Sequence, residues 1–180
     1  MVTKEEQAII LDYLPYGYPL EKKMMPIALA MGIKNFTLLQ LVPRRGVKLE
    51  LGEKVYIGDG KRDKIYYILG KLTENKLTET AKEQLMSFVE KRIIEDEKKF
   101  VEFFNKAEAI NTRMHQLELL PGFGKKHMQA IISEREKKAF ESLEELKSRV
   151  SNLPDPKKAI ERRIFEEVMG NERYNLFREN

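Results

Sequence analysis

The sequence predicts an α+β protein with two segregated parts, because the hydrophobic period changes once along the chain. Before residue 77 the apolar runs are short and are bounded by Gly, Pro and Asn turns, which is typical of strands. From Thr78 onward apolar residues recur at spacings of three and four, as in amphipathic helices. We predict a small β-barrel over residues 1–76, a connecting helix or helices over 77–110, and a helical domain over 111–180.

The amino-terminal region contains five runs that predict strands: QAIILDYL, MPIALAMG, FTLLQLVP, EKVYIG and DKIYYILGKL. Five such short strands cannot form a flat open sheet that both buries one face and protects its edges. A closed or nearly closed barrel meets both requirements, and an OB-like or SH3-like form fits five strands. We take the five-stranded OB-like barrel as the prediction.

The rest of the chain predicts several helices. One helix is expected over 80–107, or two joined near Asp96, with a capping box formed by Thr80 and Glu83. Thr112 or Asn111 is expected to cap a short helix that ends at Leu119. Further helices are predicted for KKHMQAIISERE, for SLEELKSRV, which begins with a Ser142/Glu145 capping box, and for NLPDPKKAIERRIFEEVMG.

Composition excludes several functional classes. The 180 residues include no cysteine and only two histidines, so neither a disulfide framework nor a thiolate or histidine-rich metal site is expected. We expect no metal and no cofactor. The amino terminus lacks a basic start followed by a long apolar run, and no segment reaches the length that spans a bilayer. The sequence therefore predicts a cytoplasmic protein without a membrane partner.

The net charge of +4 gives a mild bias toward anionic partners, and its distribution is uneven. Lys and Arg outnumber Asp and Glu by 13 to 9 over residues 1–76 and by 14 to 12 over residues 111–180. Between them, over 77–110, acidic residues outnumber basic ones by 8 to 6. The middle of the chain is thus an acidic spacer between two basic ends.

The stretch LELLPGFGKK matches the helix-hairpin-helix motif, in which an apolar residue, Pro, Gly, an apolar residue and Gly precede a basic turn. Gly122 and Gly124 are expected to adopt positive φ and to permit a close approach. The N–H groups that begin the next helix would then be unpaired and backed by the helix dipole, which suits a phosphate. We predict a hairpin over 112–137 that contacts nucleic acid through Gly122, Phe123, Gly124, Lys125, Lys126 and His127.

The alternative interpretation of this stretch is a tight corner between two helices that binds no ligand. Leu120 and Phe123 are expected to fasten the turn to the core in either case. His127 occupies a position where the motif often has Ser or Thr, but a lone helical histidine is more often a surface or half-buried residue. Met128 stands where Ala is usual, which suggests looser helix packing.

A second stretch, LPDPKKAIERRI, resembles the first with one residue deleted and both glycines lost, so we predict a degenerate hairpin over 142–169. Asp155 and Pro156 suit an N-cap and a first helical residue, and the Asp155 carboxylate would occupy the N–H groups that a phosphate needs. This copy is expected to complete the helical core. Its candidate peripheral contacts are Lys157, Lys158, Arg162 and Arg163.

The barrel offers a second candidate contact. Two basic turns and nearby tyrosines combine charge with rings on which bases can stack, as in single-strand binders. The alternative is that these are solvated loop tips and core tyrosines. The residues are Arg44, Arg45, Lys61, Arg62 and Lys64, with Tyr13, Tyr16 and Tyr18.

No catalytic residues are expected. A glycosylase of the hairpin class would need an Asp beyond the hairpin, where this chain has Glu on surface-like positions. Asp59 and Asp63 are the only compact acidic pair in a loop, and a solvated hairpin explains them better than a metal site. The sequence contains neither a nucleotide-binding loop nor a Ser/His/Asp constellation, so we expect a protein that is not an enzyme.

Five blocks of the sequence carry a family resemblance: LDYLPYGYP, NFTLLQLVP, GEKVYIGDGKRDKI, FVEFFNKAEAINTRMHQLELLPGFGKKHM and FESLEELKSRV. Through them the chain resembles an uncharacterised archaeal protein family that joins a small β-barrel to a helix-hairpin-helix region. The resemblance covers nearly the full chain and implies nucleic-acid binding near transcription or translation, because members tend to be encoded among ribosome-maturation and RNA-polymerase genes. It implies RNA before DNA, and ribosome or RNA-polymerase components as partners, but no activity.

Two functional classes follow from these observations. The first is a non-catalytic protein that binds RNA or DNA through its phosphate backbone without sequence preference. The second is a protein-interaction scaffold in which the hairpin is only a structural corner. Binding that weakens with salt separates the first class from the second.

Overall fold

The structure is a computed structural model and describes residues 4–178. In this part of the chain five strands precede five α-helices, which confirms the α+β class. The strands are β1 (Gln7–Leu14), β2 (Ile27–Gly32), β3 (Leu38–Pro43), β4 (Lys54–Tyr56) and β5 (Ile65–Lys71). The helices are α1 (Glu79–Glu95), α2 (Glu97–Lys106), α3 (Lys125–Lys137), α4 (Leu143–Arg149) and α5 (Pro156–Val168), with 3-10 turns at Glu74–Lys76 and Gln116–Leu119.

Internal contacts divide the described residues into two units. The first contains the residues up to Phe88 and those from Glu167 onward, and the second is Val89–Glu166. The boundary therefore falls within α1 and again within α5.

The first unit contains a single antiparallel sheet with the strand order β4-β1-β2-β3-β5. Register shifts interrupt the pairing of β1 with β2 between Ile10 and Asp12, and the pairing of β3 with β5 at two places. Such irregularities bend strands and increase their twist. All five predicted strands are confirmed, and the sheet is a curled half-barrel with β4 and β5 at its two edges.

The concave core of the sheet explains why the short apolar runs become strands. Every residue of the central strand β2 is buried, whereas β5 at the edge alternates between buried, half-buried and exposed positions. The buried side chains of this cluster are Ala8, Ile10, Ala28, Ala30, Leu41, Leu49, Val55, Ile57 and Ile65. Half-buried Tyr13 and Val47 pack against it.

Helix α1 begins at a cap that differs from the predicted one. The Thr78 hydroxyl accepts a hydrogen bond from the Ala81 N–H at 3.0 Å and donates to the Asp12 carboxylate at 2.5 Å. Thr80 lies inside the first turn, so the predicted Thr80/Glu83 capping box is wrong. The preference for Thr78 comes from Asp12 of β1, a partner that only the folded chain supplies.

The second unit is helical. Asp96 separates α1 from α2, so of the two alternatives for 80–107, one helix or two joined near Asp96, the structure has the second. The predicted cap of α4 is also confirmed, since Ser142 Oγ accepts from the Glu145 N–H at 2.9 Å. Buried apolar side chains from every helix of this unit include Ile93, Phe100, Phe104, Ile131, Leu143, Leu146, Ile160 and Ile164.

The last described residues fold back within the first unit. The buried Glu167 carboxylate accepts hydrogen bonds from the N–H groups of Leu176 and Phe177, the latter at 3.0 Å. Asn171 Nδ2 donates to the Glu74 carboxylate at 3.3 Å. The segment after Glu167 and the 3-10 turn at Glu74–Lys76 therefore belong to the same unit.

The cap of α1 is testable by substitution. We expect Thr78→Ala to lower the free energy of unfolding by about 1 to 2 kcal/mol, because both the N-cap and the bond to Asp12 are lost. The matched variant Thr80→Ala should change stability by no more than about 0.5 kcal/mol. Urea denaturation of both variants is the measurement, and equal effects would contradict this assignment of the cap.

Candidate functional site

The segment that leads into the LPGFG turn is shorter than predicted. It is a single 3-10 turn, Gln116–Leu119, and His115 caps it by accepting a hydrogen bond from the Leu117 N–H on Nδ1 at 3.1 Å. The expected cap at Asn111 or Thr112 is therefore wrong. The Asn111 side chain instead accepts a hydrogen bond from an N–H two residues later, at 2.8 Å, which closes a local turn.

Two apolar residues anchor the LPGFG turn. Leu120 is buried, and Phe123 is 5% exposed with its ring centroid 6.2 Å from that of Phe104 on α2. The Phe123 N–H donates to the Leu120 carbonyl at 3.0 Å. Phe123, one of the six predicted contact residues of the hairpin, thus holds the turn in place from inside.

The two glycines of the turn differ in conformation. Gly122 has a φ of +84°, as expected, whereas Gly124 has a φ of −108° and a ψ of −172°, so positive φ at Gly124 is wrong. Gly124 is the extended N-cap residue of α3. A Cβ added to Gly122 would lie 3.5 Å from Pro154 Cγ, while one added to Gly124 would meet no described atom within 4 Å. The surface above Gly124 is open.

His127 joins the two hairpin-like turns. Its Nδ1 accepts a hydrogen bond from the Gly124 N–H at 3.1 Å, so the ring proton resides on Nε2. Nε2 then donates to the Asn152 carbonyl at 3.1 Å. Both ring nitrogens are therefore used within the protein. His127 positions the start of α3 through its ring, and its backbone N–H is what remains for a ligand.

Three N–H groups at the start of α3 have no acceptor within residues 4–178: those of Lys125, Lys126 and His127. The first intrahelical bond of α3 is the one that Met128 donates to Gly124. Both lysine side chains are exposed, and no described carboxylate lies within 4.0 Å of either ammonium group. Unpaired donors, the positive end of a helix dipole and two free cations make this an electropositive surface.

The corresponding start of α5 is closed, as predicted. Asp155 Oδ1 accepts from the Lys157 N–H at 3.0 Å, and Pro156 occupies the first helical position, where no N–H exists. The Asp155 carboxylate thereby compensates the positive end of α5. The equivalent end of α3 has no carboxylate cap among the described residues. The two turns are similar in sequence and opposite in electrostatic character.

The predicted peripheral cations of α5 are mostly engaged. Arg163 is 4% exposed and donates to the Leu119 carbonyl at 3.3 Å, so it is not a surface contact. Lys157 and Arg162 lie within 4 Å of carboxylates, whereas Lys158 is exposed with no such carboxylate among the described residues. The partner carboxylates are those of Glu90, Glu161 and Glu166.

The two basic turns of the half-barrel are adjacent, as predicted. Arg44 Nε donates to the Arg62 carbonyl at 2.7 Å, and the Arg44 N–H donates to the Lys64 carbonyl at 2.8 Å. Arg62 Nε is itself bound to the Gly58 carbonyl at 2.8 Å. Arg45 and Lys61 are exposed. Arg44 and Arg62 therefore shape this end of the sheet, while Arg45 and Lys61 present charge to solvent.

A groove with a volume of about 500 Å³ lies beside these turns in the first unit. We call it the tyrosine groove. Its lining includes three residues predicted from the sequence: Tyr13, Arg44 and Arg45. Lys48 and Tyr66 also line it and were not predicted. The sequence signal for Tyr66 was the adjacent pair Tyr66 and Tyr67 in the run DKIYYILGKL. Successive side chains of a strand point to opposite faces of the sheet, so the two rings of such a pair are not both directed into the core.

Two predicted tyrosines lie outside the lining of the tyrosine groove. Tyr16 is 72% exposed in the loop after β1. The Tyr18 hydroxyl donates to Gln40 Oε1 at 2.7 Å, and burial, assisted by the charge of Glu21, raises the pKa of Tyr18 to about 12. Tyr18 is therefore an internal hydrogen-bonding residue of the half-barrel.

Two features of residues 4–178 bear on other functional classes. No three His, Asp or Glu side chains within that range converge so as to hold a metal ion. No helix within it combines the length and the apolar character that crossing a bilayer requires.

These features define a class of α+β protein in which an antiparallel half-barrel is joined to a helical unit that carries an open, electropositive helix start. The chain belongs to the family described as protein of unknown function DUF655, whose model matches residues 4–179. It is 43% identical over 175 residues to uncharacterized protein MJ0038 of Methanocaldococcus jannaschii, covering 96% of this chain and 79% of the relative. The crystal structure of Af1531 from Archaeoglobus fulgidus is similar, with a TM-score of 0.83, 46% identity, and coverage of 96% of this chain and 99% of the other. The resemblance to an archaeal family is thus confirmed.

The cap formed by His115 makes stability depend on pH. Burial, reinforced by the charge of Arg135 and opposed by Glu118, lowers the pKa of His115 below its ordinary 6.5. Below about pH 6.5 the unfolded chain binds a proton at His115 that the folded chain does not bind. The free energy of unfolding should therefore fall as the pH is lowered through this range. His115→Asn keeps a capping acceptor and should flatten this dependence between about pH 5 and 7. The measurement is the denaturant midpoint of the parent and of His115→Asn across that pH range. If the two midpoints change with pH in parallel, His115 is not the group responsible for the dependence.

The closed cap of α5 should contribute to stability in the usual way. We expect Asp155→Ala to lower the free energy of unfolding by about 1 kcal/mol, because the Lys157 N–H loses its acceptor. Asp155→Asn is the matched control and should be nearly neutral, since an amide oxygen also caps a helix. Thermal denaturation monitored by circular dichroism decides, and equal losses in the two variants would rule out capping as the role of Asp155.

Proposed function

We propose that this chain is a non-catalytic nucleic-acid-binding protein whose LPGFGKK turn is a helix-hairpin-helix element that grips phosphates without reading bases. The observation that supports this most strongly is the set of three unpaired N–H groups at Lys125, Lys126 and His127. Exposed, unpaired donors at the positive end of a helix suit an anion, and a phosphate has enough oxygens to accept from several of them.

The contrast between α3 and α5 also supports the proposal. A structural corner gains stability when its helix start is capped by a side-chain acceptor, as Asp155 caps α5. At α3 the N-cap is Gly124, which has no side chain to occupy the N–H groups, and two unpaired lysines follow it. The start of α3 therefore lacks the stabilisation that a side-chain cap provides, and its N–H groups remain accessible to an external anion.

The target we propose is RNA, in a translation or transcription setting, with ribosome or RNA-polymerase components as candidate partners. The phosphate backbone alone does not distinguish RNA from DNA, so this choice rests on the family resemblance. In this proposal the half-barrel acts as an OB-like module that adds a second, single-strand contact.

A scaffold that binds other proteins is the second candidate, and a group of exposed apolar side chains in the loop between β1 and β2 favours it. Leu20 is 99% exposed and Met24 is 77% exposed, with the largely exposed Tyr16 in the same loop. Such side chains are more often found at protein contacts than at phosphate contacts. Their removal should leave nucleic-acid binding unchanged if the first proposal holds.

The lysines of the turn provide the test of phosphate binding. We expect Lys125→Ala/Lys126→Ala to weaken binding of labelled RNA of any sequence, and to reduce the slope of log affinity against log salt by about 1.5 units. Lys147→Ala, which removes an exposed lysine of α4, is the control and should change neither quantity. Fluorescence anisotropy over a salt series is the measurement. A folded double variant that binds like the parent would leave only the scaffold proposal.

Gly124 offers a second test of the same site. Because Gly124 is extended and its surroundings are open, Gly124→Val should fold, with a stability loss of about 1 kcal/mol from the poorer N-cap. The added side chain would stand over the free N–H groups and should abolish most of the RNA binding. Gly122→Val should instead destabilise the fold itself, since Val disfavours a φ of +84°. Full RNA affinity in folded Gly124→Val would contradict the proposed contact.

A further inference from the structure

We infer that the tyrosine groove is a binding site for an unpaired base of a nucleic-acid strand, with Tyr66 as the stacking platform and Arg45 and Lys48 as phosphate contacts. This inference rests on the proposed function for its choice of ligand. It deepens that function by assigning the strand form that is bound, because a phosphate-gripping turn accepts single strands and duplexes alike.

The groove has the shape and size of a small-ligand site. Its volume of about 500 Å³ lies within the range of pockets that hold small molecules. Tyr13 and Val47 form a floor that packs against the core of the half-barrel, and the Tyr13 hydroxyl donates to the Val47 carbonyl at 3.5 Å. A floor fixed in this way needs little reordering when a ligand binds.

Tyr66 presents a ring on one side of the groove. It is 64% exposed, although it lies in a strand, and its ring makes an edge contact with Tyr67 at a centroid distance of 5.3 Å and an interplanar angle of 73°. The edge contact restrains the orientation of the Tyr66 ring. An exposed, restrained aromatic ring is the feature on which bases stack in single-strand binders.

The turn that follows β3 also lines the groove. It contributes Arg44, Arg45 and Lys48, and no Asp or Glu belongs to the lining. Arg44 is held by its bond to the Arg62 carbonyl, while neither Arg45 nor Lys48 has a carboxylate within 4.0 Å among the described residues. An apolar floor whose charged neighbours are all cationic complements a base attached to a phosphodiester, and it disfavours a basic peptide.

Only an unpaired base can use this groove. In a duplex both faces of each base are covered by its neighbours, so no face is free to stack on Tyr66. Binding of single strands should therefore depend on the tyrosine groove, whereas binding of duplexes should depend on the LPGFGKK turn alone. The two sites can be separated by comparing the same sequence in its two forms.

The test uses the intact chain and a labelled RNA of about 12 nucleotides, either alone or annealed to its complement. We expect Tyr66→Ala to weaken single-strand binding about ten-fold and to leave duplex binding unchanged, while Tyr66→Phe keeps the parent affinity because stacking needs only the ring. Tyr16→Ala is the matched control, because it removes an exposed tyrosine outside the lining. Arg45→Ala should lower the single-strand salt slope by about 0.7 unit.

The outcomes separate the groove from the turn. Unchanged single-strand affinity in both Tyr66→Ala and Arg45→Ala would overturn the inference, as would equal losses for single strand and duplex, or failure of the parent to bind either RNA at low salt. Lys125→Ala/Lys126→Ala should weaken both forms. If it weakens neither while Tyr66→Ala still loses the single strand, the groove stands and the proposed turn contact falls. Displacement of the strand by an equal concentration of mononucleotide would assign the groove to a free nucleotide instead.

Discussion

The burial of Phe123 is the interaction on which the geometry around α3 depends. A phenylalanine side chain moved from water into a core contributes about 1.5 to 3 kcal/mol. That energy holds the LPGFG turn against α2, and it balances the conformational cost of ordering two glycines beside it. Because Phe123 lies between Gly122 and Gly124, anchoring its ring fixes the position of both and thereby aims the first N–H groups of α3 away from the core.

His127 adds a second constraint of a different kind. By accepting from the Gly124 N–H and donating to the Asn152 carbonyl, the imidazole joins the start of α3 to the turn before α5. The hydroxyl of a Ser or Thr can both accept and donate, but the imidazole is longer and makes the two bonds through nitrogens on different sides of the ring. His127, which departs from the residue type usual at this position, therefore links the LPGFG turn to the turn before α5.

The sequence predicted what depends on local patterns and missed what depends on distant partners. All five strands and the junction at Asp96 follow from hydrophobic period and turn residues, which are local. The cap of α1 was misplaced because Thr80 has a Glu three residues later, whereas the hydroxyl of Thr78 binds Asp12, 66 residues away. Gly124 was misjudged for a related reason, since its conformation depends on its role as N-cap and on the ring of His127. Tyr66 was missed because only the folded sheet brings it beside the turn at Arg44.

The contribution of residues after Glu167 to the first unit has a consequence for how the chain acquires its structure during synthesis. The half-barrel strands are translated before the segment that follows Glu167, so their unit lacks the bond between Asn171 and Glu74 until that segment emerges from the ribosome. At the usual rates of elongation this delay lasts several seconds to tens of seconds, far longer than a hairpin needs to form. The helical unit, whose residues are contiguous from Val89 to Glu166, is complete earlier. The first unit therefore acquires the bond between Asn171 and Glu74 only after the helical unit, which is later in the sequence than the strands, has been fully translated.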